Sequence, residues 1–204
     1  MPRRDVNLYP GEYYHLYNRG HNRERIFYER ENFIFFLRRM REYLAPVLDI
    51  VAYCLMYTHY HLLVRVKDAK TSEVCQTSEV SPPSSVSNAM QRFSISYTKA
   101  MNKRYDRVGA LFQGAFQAKH VDDDKYLVHL SRYIHLNPVM SGLVERPEEW
   151  EFSSYQEYVG LHAGTLPRPQ IVLAQFPSPG AYGEFVASYT ADERAAIAGL
   201  LFDG

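Results

Sequence analysis

In the run YTHYHLLVRV (57–66), two histidines stand one residue apart. Residues two apart on a strand point to the same face. His59, His61, Leu63 and Arg65 would therefore share one face, and Tyr60, Leu62, Val64 and Val66 the other. The second set is apolar or aromatic and reads as the core side. The first set opens with two imidazoles and closes with a guanidinium, which suits a metal ion and an anion better than a core.

Two imidazoles are too few to hold a divalent cation, so a third donor must come from elsewhere. The run SRYIHLNPV (131–139) offers one. Tyr133 and Asn137 are four apart and share a helical face, whereas His135 points to a different side. An amide oxygen beside two imidazoles, with positions left for water or phosphate, suits Mg²⁺ or Mn²⁺. A closed structural zinc site would need a different set. Tyr133 then stands one turn from the third ligand, and a tyrosine can act as a covalent nucleophile. A phenol of pKa about 10 is only ~0.1% ionised at pH 7, a cost of about 4 kcal/mol. A neighbouring divalent cation offsets part of that cost and polarises a phosphoryl oxygen. Two His, one amide and one Tyr make a minimal set for cleaving a phosphodiester. Each part also has an ordinary explanation: His-x-His is common on strands, Tyr133 is one of 17 tyrosines, and Asn137 precedes Pro138 at a helix end.

The elements that must position these residues follow from periodicity. GEYYHLYNRG (11–20) alternates and ends in a turn signal, so it reads as a strand. ERENFIFFLRRMREYLAP (29–46) carries Phe33, Phe36, Leu37, Met40 and Leu44 at helical spacing and stops before Pro46. VLDIVAYCLMYT (47–58) is a central strand, and HYHLLVRV forms a hairpin with it. SSVSNAMQRFSISYTKAMNKRYDR (84–107) reads as a serine-capped helix, and GALFQGAFQAKHV (109–121) as a strand with a glycine break. DDDKYLVHLSRYIHLNP (122–138) is a helix with acids at its positive end, stopping at Pro138. Strand, helix, strand, strand, helix, strand is the split βαβ, ferredoxin-like order. The expected fold is α+β: a four-stranded antiparallel sheet, the first two helices on one face, and an extra C-terminal helix carrying Tyr133.

The 204 residues fit one domain with an extension. Residues 1–160 would be the catalytic domain and 161–204 a C-terminal extension with two short helices. KDAKTSEVCQTSEVSPPSS (67–85) holds TSEV twice, then two Pro and several Ser, and reads as a mobile loop. Net charge is zero, but residues 1–107 hold 17 Lys and Arg against 11 acids, and 108–204 hold 6 against 12. A basic half can face a polyanion, or can be an ordinary solvated surface. Cys54 and Cys75 form no disulfide framework or zinc spacing. The N-terminus lacks an apolar run after its arginines, and the longest apolar-rich stretch, 47–57, is too short to span a bilayer. The expectation is a soluble, cytoplasmic protein with no membrane partner.

The blocks YYHLYNRGHNRERIF (13–27), YCLMYTHYHLLVRV (53–66), GALFQGAFQAKHV (109–121), YLVHLSRYIHLNPVMSGLV (126–144) and PEEWEFSSYQEY (147–158) together span residues 13 to 158. In that order they resemble the HUH single-tyrosine transposases, most closely the REP-associated tyrosine transposase branch. By that resemblance the HUH histidines fall on His59 and His61, the nucleophile on Tyr133 and the third metal ligand on Asn137. It implies cleavage of single-stranded DNA at or near an imperfect hairpin, through a 5′-phosphotyrosine link and a free 3′-hydroxyl that can reverse the step. The sequence departs from the family pattern at Tyr60, where a smaller apolar residue is usual, and at Tyr57-Thr58, where Pro-Asn is usual.

The resemblance gives the basic first half a use. Arg19, Arg23 and Arg25 follow the first strand, Arg65 and Lys67 the histidine strand, and Lys99, Lys103, Arg104 and Arg107 end the second helix. Such groups would contact phosphates and give salt-dependent affinity. Trp150, flanked by acids, is expected to pack the end of the tyrosine helix onto the body. The competing reading is a non-catalytic single-stranded nucleic-acid-binding module on an RRM-like sheet. A rolling-circle initiator often carries two tyrosines on one helix. Tyr126 and Tyr133 are seven apart, and RYIHLNP favours the transposases. Monomer and homodimer, with the tyrosine helix exchanged, are both open.

Overall fold

The structure is a computed structural model that describes residues 7–68 and 82–189. Its strands are β1 (Tyr13–Arg19), β2 (Leu48–Met56), β3 (His59–Val66) and β4 (Gln117–Val121). All pairings are antiparallel, in the order β2-β3-β1-β4. With α1 (Arg30–Arg39), α2 (Pro82–Arg104) and α3 (Asp124–Met140), this is the expected α+β arrangement with a further helix after the last strand.

One sheet face carries Leu16, Tyr60, Leu62 and Val64, all buried. It packs against α1 and α2, with the Phe36 ring 5.2 Å from Tyr60 and 4.7 Å from Phe93. The Asn32 side chain accepts from the Tyr28 and Glu29 backbone N–H groups and so closes the start of α1. The end of α1 widens into a π-helical turn at Met40–Leu44, closed by Ala45 N–H on the Met40 carbonyl, immediately before Pro46.

The opposite sheet face lies under α3. Asp123 caps that helix, its side chain accepting from Lys125 N–H. Leu127, Leu130, Ile134 and Leu136 are buried, at about 1.5–3 kcal/mol each. That holds α3 on the sheet rather than free in solvent. The outer edge of β2 is covered too. Leu55 N–H donates to the Phe152 carbonyl, Ser154 N–H to the Tyr53 carbonyl, and Arg168 N–H to the Ile50 carbonyl. Beyond this come three short helices: α4 (Tyr155–Tyr158), α5 (Gln170–Leu173) and α6 (Pro179–Ala187).

Three boundaries differ from expectation. The fourth strand is Gln117–Val121, not 109–121. Gly109 and Gly114 have φ of 92° and 118°, which takes the chain out of extended geometry. The Gly114 carbonyl is bonded by the Asn18 side chain instead of a strand. The second helix already runs at Pro82, inside the expected loop, because proline is tolerated in a first helical turn. Pro138 lies within α3 rather than stopping it. The end comes at Gly142, φ 66°, where Gly142 N–H bonds the Val139 carbonyl and Leu143 N–H the Pro138 carbonyl. The TSEV repeat, Cys75 and most of the Ala-rich 184–202 stretch lie outside the described residues. Among the described residues no helix is long and apolar enough to cross a membrane.

Candidate active site

β3 opens at His59, directly after the tight turn at Tyr57 and Thr58. Three backbone bonds hold that turn: Gly20 N–H to the Thr58 carbonyl, and Ile26 and Phe27 N–H to the Tyr57 carbonyl. Gly20 has no room for a side chain, since a Cβ there would lie 2.0 Å from the Glu24 carbonyl oxygen. The departure at Tyr57-Thr58 has a structural role, because Thr58 Oγ1 is 2.9 Å from His59 Nδ1 and fixes that ring.

The four chemistry-bearing residues converge between β3 and α3. The His59 and His61 ring centroids are 5.0 Å apart. The Tyr133 ring stands 5.7 Å from His61 at a steep angle. Asn137 Nδ2 donates to the Tyr133 carbonyl at 2.9 Å. A carbonyl only accepts, so this bond fixes the amide orientation. Asn137 also hydrogen-bonds His59, and its oxygen is the end left for that contact. His61 is fully buried, Tyr133 and Asn137 nearly so, and His59 is the partly exposed member. The site therefore opens at the His59 end. Burial pushes the His59 imidazole down to about 4 against the opposing Asn137 bond, and holds His61 well below its ordinary value. Both rings are neutral at pH 7, the form that ligates metals.

The donor set fits a divalent cation. His59 Nδ1 is held by Thr58, and His61 Nδ1 lies 2.9 Å from His15 Nε2. A cation would take Nε2 of each ring, displacing the hydrogen bond between His59 and the Asn137 oxygen, with Nδ1 held by its partner as is usual at metal sites. Among the described residues no group of three or more His, Cys, Asp or Glu could hold a metal. The Asn137 amide oxygen, which meets the His59 ring, is the candidate for a third donor. Two imidazoles and one amide leave coordination positions open for a phosphate.

The proposed DNA contacts separate into two places. Arg19 pairs with His59 across β1 and β3, and Arg23 and Arg25 are exposed on the loop that follows. Arg25 lies over the Tyr57 ring at 4.8 Å. The α2 end reaches the same region: Arg104 pairs with Glu29 at 2.6 Å, Arg107 meets Glu24 at 3.5 Å, and Lys103 is exposed nearby. Arg65 sits at the far end of β3, six residues or ~20 Å from His59. It donates to the Gly11 carbonyl and pairs with Asp68. Trp150 anchors the segment after α3, donating to the Leu55 carbonyl and packing on Phe33 and Tyr57, as expected of a structural residue.

Sequence reasoning missed three features. His15 and Tyr17 lie on the same face as His61, with the Tyr17 ring 6.3 Å from it. Lys119 Nζ lies 5.9 Å above Tyr17. The alternation of YYHLYNR carried the signal, because the residues of β1 that face α3 are Tyr13, His15, Tyr17 and Arg19. The third feature is the packing of α4 and α6 behind α3. His135 faces away from the histidine strand, bonding the Tyr182 hydroxyl at 2.7 Å and Ser154 Oγ at 2.8 Å. On the sheet face opposite α1 and α2, α3 lies chiefly against β2, while Gln117 of β4 on the same face stays exposed.

No protein-family model and no curated protein sequence matches the chain. Among solved structures it is similar to a REP-associated tyrosine transposase bound to a REP hairpin, with a TM-score of 0.59 at 17% identity, over 82% of this chain and 94% of that one. The fold is thus shared with the tyrosine transposases.

Proposed function

We propose that this protein is a metal-dependent single-strand DNA endonuclease and strand transferase acting at hairpin sequences. The carrying observation is the convergence of His59, His61, Tyr133 and Asn137 between β3 and α3. The structural neighbour, a transposase bound to a REP hairpin, supports the substrate class. A DNA substrate accords with the cytoplasmic location expected from the sequence.

Tyr133 Oη attacks a backbone phosphorus and gives up its proton. The bond from phosphorus to the 3′ oxygen breaks, and that oxygen leaves with the electron pair and takes up a proton. The products are a 5′-phosphotyrosine ester and a free 3′-hydroxyl, so bonds and protons balance. Attack by a 3′-hydroxyl on the ester reverses the step without ATP. Mg²⁺ or Mn²⁺, held by His59, His61 and Asn137, would polarise a phosphoryl oxygen and lower the cost of the phenolate. Asn137 also ties the ligand set to the Tyr133 carbonyl, so nucleophile and cation site move together. Arg19, Arg23, Arg25, Lys103 and Arg104 would hold the DNA backbone beside the His59 end.

The test is a nicking assay on labelled single-stranded hairpins from DNA flanking the gene. Tyr133→Phe should abolish cleavage and leave binding nearly unchanged. Cleavage retained by Tyr133→Phe would overturn the assignment. Binding with no cleavage by the unmodified protein would return the choice to a binding module.

A further inference from the structure

His15 is the one fully buried side chain on β1 whose ring nitrogen meets a proposed ligand. Its Nε2 is 2.9 Å from His61 Nδ1, and the rings lie nearly parallel, 24° apart with centroids at 5.1 Å. His15 is not directly opposite His61, since β1 pairs His15 with Leu63 and Tyr17 with His61. The contact is a diagonal reach between strands, made through one specific pair of nitrogens.

A hydrogen bond between two ring nitrogens needs one N–H between them. If His61 ligates through Nε2, its only N–H is on Nδ1 and must donate. His15 Nε2 then accepts, and the His15 proton sits on its own Nδ1. Thr58 does the same for His59 from the turn. Each proposed ligand thus has a support from a different element. The acceptor's chemistry also matters. The more familiar carboxylate partner would bring a negative charge close to the cation. A neutral imidazole fixes the ring and leaves the cation's full charge for an anionic phosphate.

We infer that His15 is a positioning residue for His61, setting its tautomer and ring plane for binding the divalent cation. This rests on the cation site proposed above. The test is Mn²⁺ titration of the full chain without DNA, following free Mn²⁺ by electron paramagnetic resonance. The variants are His61→Ala, His15→Phe, His15→Asn and His15→Gln, with folding checked by circular dichroism. His15→Phe should weaken Mn²⁺ binding about 10- to 100-fold, the usual cost of losing such a partner. The Gln side chain can still accept from His61 Nδ1 and should recover part of the affinity, whereas the shorter Asn should not. That contrast carries the test if the Phe variant fails to fold, because a merely structural role would not separate Gln from Asn in Mn²⁺ affinity. Loss of binding in His61→Ala with unchanged affinity in the His15 variants overturns this inference and leaves the cation site standing. Equal Mn²⁺ affinity in His61→Ala and the unmodified protein overturns the cation site, and this inference with it.

Discussion

Tyr133 on α3 and His61 on β3 stand edge to face, ring centroids 5.7 Å apart, within one chain. Both are buried, and the helix between them and solvent is held by aliphatic burial and by the segment behind it. The proposed nucleophile and cation ligands thus meet within a single chain.

This arrangement predicts the outcome of mixing two inactive variants. Tyr133→Phe and His61→Ala should each fail to nick a hairpin, and their mixture should fail as well. Cleavage restored by mixing would show that the tyrosine helix is exchanged between subunits.

The basic residues divide by position rather than by number. Arg25→Ala, on the loop beside His59, should weaken single-stranded DNA binding and reduce the slope of log affinity against log salt by about 0.7, one phosphate contact. Arg65→Ala, ~20 Å along the strand and engaged with Gly11 and Asp68, should change neither. Fluorescence anisotropy at several salt concentrations separates the two.

The segment behind α3 is held by a fully buried arginine. Arg132 donates to the Phe185 carbonyl at 2.9 Å and lies over the Phe185 ring at 3.8 Å. Arg132→Ala loses a charged hydrogen bond and a desolvated cation–π contact, and should cost about 2–4 kcal/mol of stability. Arg132→Lys should recover less than half, because an ammonium cannot lie flat on the ring. Urea unfolding midpoints measure both.

Much of this was legible in the sequence, and the reasons are specific. The two-residue period of a strand put His59 and His61 on one face, and four-residue spacing put Tyr133 with Asn137. Both periodicities are local, so they survive folding unchanged. His15 was hidden because its role depends on the register between β1 and β3, which no local pattern encodes. The true start of β4 was hidden by two glycines at positive φ, and the true end of α3 by a glycine cap four residues beyond Pro138. Ser154, His135 and Tyr182 form a buried polar cluster drawn from three segments, and such clusters leave no periodic trace.

The most direct test of the proposed chemistry is whether DNA becomes covalently attached at Tyr133. The protein is mixed with Mn²⁺ and labelled hairpin DNA, denatured, and digested, and the DNA-bearing peptide is identified by mass spectrometry. The expected result is a denaturation-resistant adduct on the peptide containing Tyr133, absent in Tyr133→Phe and after chelation. An adduct on the peptide containing Tyr17, which also flanks His61, or cleavage with no adduct at all, would contradict it.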